Sequence, residues 1–578
     1  MAIPLRELEF NLFEVLSTAG LDRGTVEPVL RAAEELARRE FAPHAARADI
    51  EEPTVVDGKV VLPVATGRAL AAHAAGGFLA MPFAVEHGGL GLPFLLSQAC
   101  SALFAEAHVA CFSYAMLTQG VANVIARFGS DAQRDRYLAP LLEGRWFGTM
   151  CLSEPHAGSS LADVRTLATP SADGSYRLRG DKMWISGGEH ELGENIVHLV
   201  LARTPGAPPG VKGLSLFIVP RRRDGQDNGV SLTGLNHKMG WRGHVNTAIA
   251  FGANGPCIGE LVGAEGQGLP QMFLLMNEAR VGIGLVASAL GYAGYSYALA
   301  YARERRQGRA LESRDPTTPQ IPLIEHADVR RMLLAQKAWV EGGLDLVLYC
   351  AMLVDDRTED AALLLDLLTP IVKSWPAEWC LEANKQAIQV AGGAGYTRDL
   401  PLERLYRDNR LNHIHEGAYG IHGLDLLGRK VTMRAGRAFQ IFADAVLQSI
   451  DAARPYPALA ECVAALGEAL GALTQVTRHL TATAARGEVA LATANATIYL
   501  DAFGTVVVAW RWLARAAAAS ARIAAGRANE RAAEHDFYAG KVAACRHFFR
   551  HDLARTAGQF ALLAALDDTA LRIDATQF

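Results

Sequence analysis

The chain has 578 residues, 50% of them apolar and 20% charged, and 56 basic side chains against 61 acidic ones give a formal net charge of -5. That composition supplies a large buried core and excludes a disordered chain, and the near balance of charge leaves no whole-chain attraction for nucleic acid. The 8 cysteines are scattered with no CxxC pair, which reads as reduced thiols in a cytoplasmic protein.

In chain order, residues 1–148 read as an N-terminal helical domain. Val26 to Arg39 and Leu95 to Phe128 are rich in Ala and Leu and are broken by short Gly or Pro punctuation. Arg6, Glu7 and Glu9 stand where a secretory leader would need an apolar run, so no leader is expected. Residues 149–265 change to short β-branched and aromatic runs between turn clusters, such as Tyr176–Leu178 after Asp173-Gly174 and Leu214–Val219 before Pro220, and predict a central β domain. From 266 to 430 long helices return: Val329, Met332 and Leu333 share a face opposite Arg330, Arg331 and Lys337. Residues 431–578 are Ala-rich and helical, with Phe503, Val507, Trp510 and Ala514 on one face and Arg511, Arg515 and Arg522 on another. The predicted fold class is α+β, mostly α: a helical domain, a β domain, a C-terminal four-helix bundle and an additional C-terminal helical domain.

Val281 to Ala302 carries no charge and has the length of a membrane span. Its four glycines, two serines and four tyrosines, with only six residues of Val, Ile or Leu, predict instead a helix buried on all sides, and no membrane span is expected.

Four motifs carry chemistry. In Cys151-Leu-Ser-Glu-Pro-His-Ala-Gly-Ser-Ser160, small and hydroxylic residues leave backbone amides open to a flat or anionic ligand, although Ser/Gly turns of this kind also simply join elements. Lys182-Met-Trp-Ile-Ser-Gly-Gly188 places Trp184 and Ser186 two apart on a strand, a ring and a hydroxyl suited to a planar heterocycle, with core packing of the indole as the alternative. Gln389-Val-Ala-Gly-Gly-Ala-Gly-Tyr396 lacks both the preceding strand and the GxGxxG spacing of a dinucleotide fingerprint, so a Rossmann site is rejected. His413-Ile-His-Glu-Gly417 sets a carboxylate among apolar and imidazole neighbours, where desolvation would raise its pKa into the range of a proton acceptor; a solvated Glu, or one paired to Arg410, is the other reading.

In this order and at these separations, together with Glu86-His-Gly-Gly-Leu-Gly-Leu92 and Tyr301-Ala-Arg-Glu-Arg-Arg-Gln-Gly308, the motifs resemble those of the acyl-CoA dehydrogenase family across about residues 30 to 430. The region beyond is similar to that of the longer branch, which includes methylthiopropionyl-CoA dehydrogenases and long-chain bacterial enzymes. The resemblance implies FAD as cofactor and α,β-dehydrogenation of an acyl-CoA thioester, with an electron-transfer flavoprotein as acceptor. It implies that Leu152, Ser153, Gly158 and Ser159 hold flavin and line the thioester entry, with Trp184 and Ser186 over the isoalloxazine ring. Arg305, Gln307, Gln389, Gly392 and Gly393 would serve the FAD of a neighbouring subunit in a homodimer or dimer of dimers. Glu416 would be the catalytic base, and Ser159, Arg280, Gly417 and Tyr419 would meet substrate. The family's other place for a base precedes Arg280 and is Ala279 here.

Two departures stand beside the base. Ala418 replaces a Thr whose hydroxyl meets flavin in relatives, and His415 replaces a usual Tyr. One lost neutral hydrogen bond weakens cofactor binding by roughly 0.5–1.5 kcal/mol, which a site of many contacts tolerates. Tyr419 and His415 are expected to reshape the acyl pocket or shift Glu416, which leaves room for a carrier-protein thioester. An acyl-CoA oxidase and a DNA-associated flavoprotein are the competing readings; 15 Lys and Arg against 13 Asp and Glu in residues 431–578 speak against the second. His547 and His551 have metal-compatible i, i+4 spacing but no third ligand in the motif, and no metal is expected.

Overall fold

The computed structural model describes residues 3–16, 21–526 and 532–578. The chain forms two compact units, residues 28–279 and residues 1–27 with 280–578. Its main helices are α1 (Leu5–Phe10), α2 (Arg23–Leu36), α3 (Val64–Ala75), α4 (Phe94–Phe128), α5 (Asp131–Leu142), α6 (Gly268–Glu304), α7 (Ala327–Asp355), α8 (Glu359–Ala391), α9 (Leu402–Arg410), α10 (Tyr419–Gly428), α11 (Met433–Ala453), α12 (Ala460–Ala485), α13 (Ala496–Ala524), α14 (Ala532–His551) and α15 (Thr556–Ala564). The main sheet has eight strands: β1 (Trp146–Cys151), β2 (Leu167–Pro170), β3 (Tyr176–Ser186), β4 (Asn195–Arg203), β5 (Leu214–Pro220), β6 (Val230–Leu235), β7 (Asn246–Phe251) and β8 (Ile258–Leu261). The expected class, helical at both ends with a β region between, is the one observed.

In the first unit the strand order is β6-β7-β3-β8-β5-β4-β1, with β2 against β3 and β4. The central pair β4 and β5 is apolar along almost its whole length because both of its faces are covered. One face meets Val121, Val124 and Ile125 of α4 and Tyr137 and Leu141 of α5, and the other encloses Leu178, Ile185, Phe217 and Phe251. A capping box at Ser130 and Gln133 starts α5. Inside α4, His108 leaves helical geometry at φ -164° and ψ 86° and kinks the rod.

The second unit is built on α6, α7 and α8. The uncharged stretch of α6 is helical and largely buried, and its glycines are the reason it fits; by length and composition alone α4, residues 278–304 of α6, and residues 457–485 are each long and apolar enough to cross a membrane. A Cβ at Gly284 would lie 2.1 Å from the Val372 carbonyl oxygen, and one at Gly291 would lie 2.7 Å from Cys380 Cβ, so only hydrogen permits this approach of α6 to α8. Gly342 of α7 likewise admits the Trp512 indole of α13. The arginine face of α13 is not a solvent face: Arg511 and Arg515 are buried against Asp345, Glu341 and Glu7. All 8 cysteines are free and buried.

Candidate active site

In the first unit, Glu154 shapes the Ser-Glu-Pro turn. Its backbone pairs with Ala157 in both directions, at 2.9 and 3.0 Å, and closes the turn. Its buried carboxylate accepts from the Thr166 N–H and hydroxyl, at 2.9 and 2.6 Å, from the Arg165 N–H at 2.8 Å and from Lys182 Nζ at 2.9 Å. Lys182 also donates to the Leu152 and Leu201 carbonyls at 2.9 and 2.8 Å. Burial pushes the Glu154 carboxyl up, but Lys182 and the hydrogen bonds to Thr166 and Arg165 outweigh it and hold the group at about 2. The turn is thereby fixed from within, while Gly158 and Ser159 stay exposed and a Cβ at Gly158 would meet nothing within 4 Å.

Trp184 and Ser186 sit at the end of β3, where the pairing with β7 slips between Thr247 and Ile249. The extra residue of this bulge puts Trp184 in the left-handed region at φ 63° and leaves its indole 61% exposed. Core packing of this ring is therefore excluded. The Met183 N–H donates to the Ser153 carbonyl at 3.0 Å, tying this strand to the turn, and Asn246 Nδ2 donates to Ser186 Oγ at 3.2 Å. A large apolar ring held at a strained, solvent-facing position beside an open turn is the arrangement that a flat ligand would cover.

In the second unit, Glu416 precedes α10 with φ 54°, and Gly417 follows with φ 100°. A left-handed glutamate is strained and must be held. His422 Nε2 lies 3.1 Å from the Glu416 carbonyl oxygen, and Lys373 Nζ donates to the Gly417 carbonyl at 2.7 Å. A Cβ at Gly417 would sit 2.6 Å from His422 Nε2, so glycine is required there by space as well as by conformation. Burial raises the Glu416 carboxyl above the usual carboxylate range, while Arg280 and Lys373 pull it back. Burial, with Arg280 and Lys373 adding to it, holds His422 at about 3, so the ring is neutral and donates through Nε2.

Arg280 is buried with Nη1 3.7 Å from Asp425 Oδ2 of α10, and Arg429 reaches the other oxygen of Asp425 at 2.8 Å. A chain of amides leads from α6 to His415: Asn384 Nδ2 donates to the Leu290 carbonyl at 2.9 Å, Asn409 Nδ2 to Asn384 Oδ1 at 2.7 Å and Asn412 Nδ2 to Asn409 Oδ1 at 2.9 Å, and His415 Nε2 meets Asn412 Oδ1 at 2.9 Å. Tyr419 packs edge-on to His413, and its buried hydroxyl has no hydrogen-bond partner among the described residues. The additional C-terminal helices support this segment directly: a Cβ at Gly423 of α10 would lie 2.6 Å from the Ala496 carbonyl oxygen of α13.

Arg305 and Gln307 are exposed at the end of α6, and their backbones are clamped by the Leu323 N–H donating to the Arg305 carbonyl at 2.8 Å and the Gln307 N–H donating to the Ile321 carbonyl at 3.0 Å. Gln389, Gly392 and Gly393 are exposed at the C-terminus of α8, Gly392 with φ 61° and neither glycine crowded. Among the described residues no group of three or more His, Cys, Asp or Glu is arranged to hold a metal.

Glu154, Lys182, Lys373 and His422 were not singled out as functional in the sequence. The available signal was charge inside apolar context: Lys373 follows Pro-Ile-Val in a run that continues into Ser-Trp-Pro, where a lysine needs a reason to be buried.

Comparison with known proteins places the chain in a family. Residues 26–145, 149–253 and 266–431 match the sequence models of the N-terminal, middle and C-terminal domains of acyl-CoA dehydrogenases, and residues 442–574 match the acetyl-CoA dehydrogenase C-terminal-like domain. The chain is 34% identical to the 3-methylmercaptopropionyl-CoA dehydrogenase of Ruegeria pomeroyi, covering 92% of this chain and 91% of that one. It is 32% identical to the broad-specificity linear acyl-CoA dehydrogenase FadE5 of Mycobacterium tuberculosis, covering 99% of both. Among solved structures, the FAD complex of a Bacillus anthracis acyl-CoA dehydrogenase shares its fold with a TM-score of 0.76 at 18% identity, over 95% of this chain and 90% of that one. The chain belongs to the acyl-CoA dehydrogenase family of flavin-dependent oxidoreductases.

Proposed function

We propose that this chain is an FAD-dependent dehydrogenase that converts an acyl-CoA thioester to its trans-2-enoyl form, with Glu416 as the base. The observation that carries the reading is Glu416 itself: a carboxyl raised by burial, in left-handed backbone, with its own carbonyl and that of Gly417 each hydrogen-bonded from behind. Such a group is preorganised to take a proton rather than to solvate a surface.

Residues of the first unit fit the cofactor. An exposed indole at Trp184, a hydroxyl at Ser186 and the uncrowded turn of Leu152, Ser153, Gly158 and Ser159 suit a flat heterocycle with an anionic tail. Bound FAD supplies a two-electron acceptor at flavin N5 for the hydride leaving the β-carbon. Glu416 removes the α-proton, and its backbone N–H is offered to the thioester carbonyl, where negative charge develops. In this reading Ser159 of the first unit and Arg280, Gly417 and Tyr419 of the second are residues that meet substrate. Exposed Arg305, Gln307, Gln389, Gly392 and Gly393 serve the cofactor of a second copy, which makes a homodimer or dimer of dimers the working assembly. An electron-transfer flavoprotein reoxidises the enzyme, and 8 buried free thiols suit a cytoplasmic setting. The domain boundaries we propose are 1–148, 149–265, 266–430 and 431–578.

The test is the visible spectrum of the purified protein during anaerobic addition of short, medium, branched and thioether acyl-CoAs. Bleaching of the flavin band by at least one of them is expected in the natural chain, and Glu416→Gln should keep the band and lose the bleaching. Oxygen uptake with no other acceptor would reassign the enzyme as an oxidase, and a colourless protein that cannot be reconstituted with FAD would overturn the reading.

A further inference from the structure

Among the described residues four lysines are buried: Lys182, Lys373, Lys430 and Lys541. Three of them have a carboxylate in contact, with Lys182 on Glu154 at 2.9 Å, Lys430 on Asp366 at 2.6 Å and Lys541 on Glu341 at 2.8 Å. Lys373, fully buried on α8, has only the Gly417 carbonyl at 2.7 Å and no ion pair among the described residues. A buried ammonium with a neutral partner is costly, and a charge at longer range offsets part of that cost. The charged and titratable groups that face it are Glu416, Arg280 of α6, and His415 and His422 on either side of Glu416. The two histidines are neutral, each held at about 3, and the Arg280 charge is already shared with Asp425. Among the described residues, Glu416 is the anion left to face it.

We infer that Lys373 is the positioning residue of Glu416: its ammonium clamps the Gly417 carbonyl, fixing the left-handed Glu416-Gly417 pair, and joins Arg280 in supplying the counter-charge that keeps the half-buried Glu416 carboxylate ionised. The clamp and the counter-charge act together because one nitrogen provides both. Burial draws Lys373 down to about 7 with Glu416 opposing that shift, which is the reciprocal of the same attraction. The inference rests on the proposed role of Glu416 only for its catalytic consequence; the clamp on the neighbouring Gly417 carbonyl stands on the geometry.

The full-length protein tests it. The Glu416 carboxyl is titrated by infrared difference spectroscopy against Glu416→Gln, in the natural chain and in Lys373→Arg, Lys373→Gln and Lys373→Met. Loss of the cation should raise the Glu416 midpoint by about one pH unit or more in the Gln and Met variants, while Arg keeps it near the natural value. Gln retains a donor for Gly417, so it carries the test if Met does not fold. An unchanged midpoint in Lys373→Gln, or a raised one in Lys373→Arg, overturns the inference. In parallel, the acid limb of flavin reduction by butyryl-CoA should move upward in the Gln variant with the flavin retained. If no thioester reduces the natural chain but the midpoint still moves, the proposed function fails and the Lys373 pairing stands; bleaching with an unmoved midpoint means the reverse.

Discussion

Arg515 and Asn11 stand 504 residues apart in sequence and 2.6 Å apart in space, the guanidinium of one donating to the amide oxygen of the other. The same guanidinium lies 2.5 Å from Glu7 and 3.3 Å from Glu341, and Arg511 lies 2.7 Å from Asp345. Three buried acids, Glu7, Glu341 and Asp345, thus face three buried bases, Arg511, Arg515 and Lys541, with Lys337 at the edge on Glu341. Removing one member strands the others without compensation. Arg515→Met should lower stability by about 3–5 kcal/mol in a urea unfolding curve, and a loss under about 1 kcal/mol would show that solvent reaches the network.

Trp184 separates function from stability. Its indole is largely exposed and its backbone is left-handed. Trp184→Gly relieves that conformation, by about 1 kcal/mol, and removes little buried area. The melting temperature should hold or rise, while the dissociation constant for FAD, read by flavin fluorescence on dilution, should rise about tenfold, equivalent to about 1.4 kcal/mol. A fall in stability with unchanged flavin affinity would make Trp184 a structural residue.

Acid should weaken the fold well above the usual carboxylate range. His73, His190, His198, His415 and His422 are each held by burial at about 3, against an ordinary value of 6.5. Because the folded values are depressed, the unfolded chain binds more protons below pH 6.5, so stability is full above that value and is lost as pH falls toward 3. With five such groups the slope reaches at most about 7 kcal/mol per pH unit near pH 5. Calorimetric melting between pH 7.5 and 5 should show the decline; a flat profile would mean that these rings are protonated in the folded state.

Gly423 transmits the additional C-terminal domain to the base. A methyl group there would press on the Ala496 carbonyl, 2.6 Å away, and must push α10 from α13. Gly423→Ala should cost about 1–3 kcal/mol and slow flavin reduction by substrate while leaving FAD bound. Reduction at the natural rate with lowered stability would show that α10 shifts without moving Glu416.

The motifs legible in sequence are those in which a short segment must do something unusual by itself: the Ser-Glu-Pro turn, the Trp-x-Ser strand end, the Gly turn after Gln389 and the Glu-Gly pair. Their surroundings were not legible, because the supports come from far away in the chain. Lys182 lies 28 residues from the Glu154 it pairs with, and Lys373 lies 44 residues from Gly417. Helical periodicity placed Arg511 and Arg515 together on a face of α13; only the packed helices show Asp345, Glu341 and Glu7 there. The left-handed backbone of Trp184 has no sequence signal at all, since tryptophan disfavours it and the β bulge imposes it.

The amide chain from Asn384 to His415 has a polarity. Each asparagine oxygen accepts from the next residue along, and each nitrogen donates toward the Leu290 carbonyl, so every dipole points the same way. Asn412 Oδ1 can then accept only from a protonated Nε2, which sets the tautomer of His415 from a helix in another part of the unit. Inverting one amide would bring oxygen against oxygen at one end and nitrogen against nitrogen at the other, so the row behaves as a single element. The residue next to the base is thereby oriented by the row as a whole, and an Asn→Asp change anywhere along it would be felt at His415.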